Sequence, residues 1–276
     1  MKHRLLVLLA FTLATLPVFA ADATFDRTLT VNGRPELNLE TGSGSVHLTA
    51  GPAGQIHIVG HVHSQWGGSA DRVRDIAAHP PIEQTGTIVH IGRHMGFLQN
   101  ISISYEIQAP ADTYLDAGTG SGSILDEGMG ANARLHAGSG DIRASGLRGG
   151  FSLEAGSGNI VVEFAGQGNG KAETGSGNIE LRNLQGGLDA RAGSGDIRVT
   201  GTPAAPWQIE TGSGTVELAT GDAGFSLEAS CGSGHIHSDR PVTGQSSEGK
   251  HHLSGQIGSG GPTVRIQTGS GDVRIH

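Results

Sequence analysis

Gly-Ser-Gly begins at residues 120, 138, 156, 175, 193, 212 and 232, at spacings of 18 to 20, and returns at 269, 37 residues further on. A repeat this short limits what the chain can fold into more than any other feature it carries. Each unit follows one pattern. An alternating apolar pair precedes the motif, as in Leu135 and Ala137, Leu153 and Ala155, or Ile209 and Thr211. A β-branched residue follows it: Ile124, Ile142, Ile160, Ile179, Ile197, Val216, Ile236 and Val273. Two positions later stands another small or apolar residue: Ala144, Val162, Leu181, Val199, Leu218 or Ile275. Alternation with a period of two over four or five residues is a strand signal. Each unit therefore reads as two short strands joined at Gly-Ser-Gly.

A unit of this size cannot bury its own apolar face, but stacked copies can. The expected fold is all-β: a β-solenoid, or parallel β-helix-like stack, of 18–20-residue coils. The Ile/Val and Leu/Ala positions form interior ladders, and nine coils would make a rod of about 43 Å at the usual strand spacing. Glycine suits the corners because it accepts positive φ. An up-and-down antiparallel meander has the same period and stays open as the alternative. In the 37-residue gap, Gly249 and Leu253 read as a degenerate copy, and Gly258-Ser-Gly as an out-of-phase glycine turn. Cys231, in "ASCGSGHI", reads as a turn or buried small residue after a two-residue insertion. The closing "VRIH" reads as an edge strand, its Arg274 and His276 discouraging end-to-end growth.

The chain divides into three parts. Residues 1–20 read as a secretory signal peptide: Lys2, His3 and Arg4, then "LLVLLAFTLATL", then a small-residue cleavage site at Val18-x-Ala20. The apolar run is shorter than the roughly 20 residues that span a bilayer. No later stretch resembles a membrane span, so no transmembrane segment is expected in the mature chain. Residues 21–117 form a longer-stranded N-terminal portion that includes one repeat copy ("TGSGSVHL") and caps the stack. Its strand candidates are "ATFDRTLTV", "QIHIVGHVHSQW", "GTIVHIG" and "ISISYEIQAP". No segment has convincing helical periodicity; the nearest is "ADRVRDIAAH", stopped by Pro80 and Pro81. Residues 118–276 are the Gly-Ser-Gly solenoid.

Net charge is −8, more negative once Lys2 and Arg4 are set aside, and lysine occurs only at 2, 171 and 250. With no basic patch, nucleic acid is not an expected partner. A single cysteine in an exported chain leaves no internal disulfide, so packing and backbone pairing must supply stability.

"YEIQAPADTYLDAGTGSGSI", the recurring "AGSGDIR" and the closing "GSGGPTVRIQTGSGDVRIH" resemble the bacterial putative-adhesin family of β-strand-repeat envelope proteins, a family built on a domain of unknown function. The resemblance spans roughly residues 25–276. It implies an exported, solenoid-like envelope protein, links some relatives to envelope stress responses, and supplies no catalytic residues.

Asp141, Asp196 and Asp272 follow Gly-Ser-Gly, with Asn159, Asn178, Ser45, Ser123, Thr215 or His235 in the other units. Calcium β-rolls use a nine-residue period, so the position reads as a turn cap bonded to nearby amides. His57, His61 and His63 share one strand face, as do His235 and His237; His251 and His252 are adjacent, and all read as solvated. A polysaccharide-cleaving β-helix needs paired carboxylates or a general base. The three aspartates, read as three coils apart, do not pair, and Ser139 recurs in every unit. Arg143, Arg198 and Arg274 read as outward charges. Trp66, Phe97, Tyr105, Tyr114 and Trp207 are too scattered for a carbohydrate platform.

No catalytic, cofactor-binding or metal residue is assigned, and no cofactor is expected. The expected function is a non-enzymatic, adhesin-like or scaffolding role in the periplasm or at the cell surface, with an envelope protein or surface glycan as partner. An envelope-stress signalling partner and a polysaccharide-acting enzyme are the alternatives.

Overall fold

The computed structural model describes residues 21–64, 69–92, 100–244, 248–249 and 251–276. Its strands build two walls that meet, in rungs 2 to 10, at the Gly-Ser-Gly corner, and parallel pairing stacks them into ten rungs. We number the rungs in spatial order, giving the strand before the corner and then the strand after it. Rung 1 is Ile88–Ile91 and Ile101–Pro110; rung 2 is Glu36–Thr41 and Val46–Gly51; rung 3 is Tyr114–Thr119 and Ile124–Glu127. Rung 4 is Asn132–Ala137 and Ile142–Leu147, and rung 5 is Phe151–Ala155 and Ile160–Phe164. Gly170–Thr174 opens rung 6. The long strands Ile179–Ser194 and Ile197–Ser213 each run from one rung into the next, through rungs 6, 7 and 8, and Val216–Ala219 completes rung 8. Rung 9 is Thr263–Ser270 and Val273–Ile275; rung 10 is Phe225–Ser233 and Ile236–Ser238.

This parallel stack settles the solenoid reading over the meander. Ile124, Ile142, Ile160, Ile179 and Ile197 lie in register and are buried, as are Leu135, Leu153, Ala172, Ala190 and Ile209 across the interior. Burial of these ladders drives stacking that no single rung could sustain.

Spatial order departs from chain order at both ends. Rung 1 follows rung 2 in sequence but lies outside it, and residues 114–127 then return to pair with rung 2 from within. At the other end, rung 10 is laid down one place too far out, and residues 263–275 return to fill the gap. "VRIH" is therefore no edge: Val273 pairs with Val216 on one side and Ile236 on the other.

The 37-residue spacing has the same origin. Gly249 and Leu253 belong to no coil. His252–Ile257 runs antiparallel to Phe225–Ser233, with Val242–Thr243 and Glu248–Gly249 antiparallel against it. Gly258 and Gly260, at φ 61° and 73°, make the turn that follows. The first end is closed in the same way. Ile82–Thr85 runs antiparallel to Ile88–Ile91, Gln55–Ser64 to Ile101–Pro110, and Asp22–Thr30 to Gln55–Ser64. A helix, Ala70–Ala78, packs against the last two of these and buries Val73 and Ile76. This corrects the expectation that no segment is helical: Val73 and Ile76, three apart on one face, set a helical period that is short because the chain turns off at Pro80.

Proximity requires glycine at the corners, and at Gly195, Gly214, Gly234 and Gly271, with φ of 156°, 157°, 132° and 145°, backbone twist requires it as well. Gly122, Gly140, Gly158 and Gly177 do not have positive φ. A Cβ on Gly140 would sit 1.8 Å from the Gly122 carbonyl oxygen, and one on Gly158 would sit 1.9 Å from that of Gly140. Each corner rests directly on the backbone beneath it.

Candidate interaction faces

The residue after each Gly-Ser-Gly immediately precedes the post-corner strand, and it joins adjacent rungs. The Asn159 N–H donates to Asp141 Oδ1 at 2.9 Å, Asn178 N–H to Asn159 Oδ1 at 2.9 Å, and Asp196 N–H to Asn178 Oδ1 at 2.9 Å. Thr215 N–H donates to Asp196 Oδ1 at 2.8 Å, and His235 N–H to Asp272 Oδ1 at 3.0 Å. The caps expected at this position therefore serve the next rung and not their own turn. The N–H of Asn159, and after it Arg143, hold the Asp141 carboxyl below its ordinary range. Asp272 stands two rungs from Asp196, since rung 9 follows rung 8, and the two still cannot pair. Asn159→Ala removes one of these acceptors and should cost about 1 kcal/mol, read as a lower urea midpoint than wild type.

Buried threonines brace the inner side of the same corners. Thr174 Oγ1 donates to the Gly158 carbonyl at 2.9 Å and accepts from Gly177 N–H at 3.1 Å; Thr119 does the same with Gly44 and Gly122. Cys231 occupies this position in rung 10, in register with Thr268 and with no inserted residue. Its sulfur lies 3.6 Å from His251 Nδ1, and burial, then Asp272, push the thiol above its usual range, which suppresses the nucleophilic thiolate.

Outward charges form ladders across rungs. On the wall after the corner, Glu180, Arg198, Glu217 and Arg274 alternate over rungs 6 to 9. Arg198 Nη2 lies 2.6 Å from Glu217 Oε2 and Arg274 Nη1 3.4 Å from Oε1, so cations from both neighbouring rungs hold the Glu217 carboxyl down. On the other wall, Arg191 bridges Glu173 and Glu210, and Arg265 meets Glu228 at 2.6 Å. Such exposed pairs contribute little stability individually; they give rungs 6 to 9 of the wall after the corner an alternating charge pattern.

The histidine face on Gln55–Ser64 is real, and it has carboxylate partners that spacing within one strand did not reveal. His57 meets Asp26 at 2.8 Å, His61 meets Glu106 at 3.3 Å, and His63 meets Asp22, all across strand boundaries. His237 and His276 both hold Asp239. Among the described residues, no three His, Cys, Asp or Glu side chains are grouped to hold a metal ion.

Trp207 is buried between Leu188 and Val264, its Nε1–H donating to the Gly186 carbonyl at 2.7 Å. Tyr105 is buried against Phe25, and Tyr114 is exposed. Trp66 and Phe97 lie outside the described residues. No aromatic platform forms among those described. A shallow dish of about 450 Å³ lies beside Lys171, Asp189 and Pro206.

One interior residue escaped the sequence reading. Asp126 points inward on rung 3, in the ladder occupied by Leu48 on one side and Ala144 on the other, and it is fully buried. Its Oδ1 accepts from Met129 N–H at 3.1 Å, and Oδ2 has no partner. Burial pushes its pKa up to about 8. The sequence signal was a carboxylate in a column otherwise apolar from Leu48 to Ile275.

Two walls of parallel strands, stacked at one repeat per rung and closed by antiparallel strands, define a solenoid-like β-repeat protein. The Toastrack DUF4097 family model matches residues 100–276, and the chain belongs to that family. Among solved structures, it is similar to a putative adhesin from Parabacteroides merdae at 12% identity and TM-score 0.48, covering 93% of this chain and 96% of that one. It is also similar to a putative adhesin from Bacteroides fragilis at 14% identity and TM-score 0.39, covering 92% and 97%. A third similarity is to a putative cell adhesion protein from Clostridium sporogenes at 15% identity and TM-score 0.26, covering 92% and 99%. No curated protein matches the chain.

Proposed function

We propose that this chain is an exported, non-enzymatic scaffold of the cell envelope that binds through its stacked walls in an adhesin-like manner. The observation that carries this reading is the regular outer surface. Charged side chains occupy successive rungs from 6 to 9 on the wall after the corner, and Arg198 and Arg274 neutralise Glu217 between them. A ligand with its own repeat, such as a surface glycan, or an extended face of an envelope protein meets the same charge at every second rung of this column. Family membership supports the reading, and so does the N-terminal leader, which lies outside the described residues. No helix among the described residues is long and apolar enough to cross a membrane. The aspartates and asparagines at the corners are engaged between rungs, which supports a structural role for them over a catalytic one.

Export predicts that the protein recovered from envelope or culture fractions begins at Ala21, read by N-terminal mass spectrometry. Binding of that protein to whole cells or glycans supports adhesion, whereas recovery of a single envelope protein in a pull-down favours a signalling partner. Cleavage of an acidic polysaccharide would overturn the non-enzymatic reading.

A further inference from the structure

Among the described residues, rung 9 is the only rung supplied from beyond a neighbour that it must separate. Rung 8 ends at Ala219, and the chain then builds rung 10 and its antiparallel cover, Val242–Ile257, before residues 263–275 enter the slot between rungs 8 and 10. Everything that holds this segment is specified by its own residues. Ile266 lies between Ile209 and Ala229, and Val273 between Val216 and Ile236. Thr268 Oγ1 donates to the Gly214 carbonyl at 3.0 Å, Gly214 N–H to the Ser270 carbonyl at 2.9 Å, and Val216 N–H to the Asp272 carbonyl at 2.9 Å. Arg265 reaches Glu228 on rung 10, and Arg274 reaches Glu217 on rung 8. The link to the cover is Gly258-Ser-Gly-Gly-Pro262, whose three glycines all have positive φ. The link itself touches rung 10, where Ser226 N–H donates to the Pro262 carbonyl at 3.0 Å and Ser226 Oγ to that of Gly261 at 3.2 Å, but the strand pairings that fill the slot are made by residues beyond it and are the same for a segment of another molecule.

We infer that the space between rungs 8 and 10 is a binding site for an extended, Gly-Ser-Gly-cornered β segment, and that its intermolecular occupant is residues 262–276 of a second copy of this chain. Exchange places the Gly258–Pro262 link between molecules and leaves every rung filled. Reciprocal exchange closes a dimer. The intramolecular segment wins at low concentration because its link keeps its local concentration high. The exchanged form gains as chains are folded together at higher concentration. Once folded, each segment is paired on both sides along both walls, so exchange between finished molecules is slow.

The test uses two full-length variants, Glu210→Cys and Gln267→Cys, each also carrying Cys231→Ser. Glu210 and Gln267 are outward-facing partners in register on rungs 8 and 9, a spacing that a disulfide can bridge. Neither variant can form the bond within itself. Unfolding the two together, refolding them mixed and oxidising should give a mixed disulfide-linked dimer. At low conversion its fraction should rise roughly in proportion to chain concentration. Folding them apart and then mixing should give none. Native circular dichroism in both variants without a mixed dimer at any concentration overturns the inference. The unmodified chain provides a check independent of the substitutions: refolded at rising concentration, it should show a dimer by light scattering after size exclusion, and a monomer throughout overturns the inference.

Discussion

Asp126→Asn should make the protein more stable, by an amount that grows with pH. The Asp126 carboxyl is fully buried between Leu48 and Ala144, with one oxygen unpartnered. Its pKa is about 8 in the folded chain against an ordinary 3.8. Below pH 4 both states are protonated and no penalty arises. Between about pH 4 and pH 8 the folded chain retains a proton that the unfolded chain has released, so stability falls by roughly 1.4 kcal/mol per pH unit. Above pH 8 both states are ionised, and the full penalty, on the order of 5 kcal/mol, remains. Asparagine carries no charge and keeps an oxygen for the Met129 N–H. Urea unfolding should therefore show the variant level with wild type at pH 4 and several kcal/mol more stable at pH 9. The carboxyls held below their ordinary range, Asp141, Glu217 and Asp239, lose their contribution only as pH falls through the acid range, outside this window. Asp126→Val, which continues the apolar column at the expense of one hydrogen bond, should flatten the profile in the same way. Parallel pH profiles for wild type and Asp126→Asn would refute the account.

Gly140→Ala should prevent folding or destabilise the chain by roughly 4 kcal/mol or more, at the far end of what single substitutions do. The added carbon would meet the Gly122 carbonyl oxygen at 1.8 Å and its carbon at 2.4 Å, and both are backbone. No rotamer relieves that contact. The rungs must part by more than 1 Å at a corner where Gly138 N–H donates to the Thr119 carbonyl and Ser139 N–H to the Gly120 carbonyl. Ser139→Ala, one residue away and exposed, changes nothing that faces another rung and should stay within about 0.5 kcal/mol of wild type. Equal thermal midpoints for the two variants would show that the corners tolerate separation.

The contrast between these two glycine-motif positions shows how much could be read from the chain alone. Spacing and alternation were enough to place the corners, the Ile/Val column and the Leu/Ala column, because each is a local pattern repeated in register. The closeness of one corner to the next is not local. Gly140 reads as a turn residue until Gly122 is set beneath it. Spatial order is likewise invisible to spacing: the 37-residue interval suggested a worn repeat where the chain makes an antiparallel cover and then doubles back. The partners of His57, His61 and His63 come from other strands, so no spacing along their own strand could show them. Asp126 was overlooked because repeats were aligned by what they share, and its importance lies in the one column position where they differ.

The order of the last two rungs also bears on how the molecule is made. Synthesis delivers residues 225–257 before residues 263–275, so the outermost level and its cover exist as chain before the level beneath them does. A zipper closing from one end could not finish this stack. The emerging polypeptide must either hold rung 10 unassembled or admit a strand on each wall into a gap already flanked on both sides. Completion is thereby tied to delivery of the final coil, and a chain cut short before residue 263 would lack an interior course rather than a frayed tip.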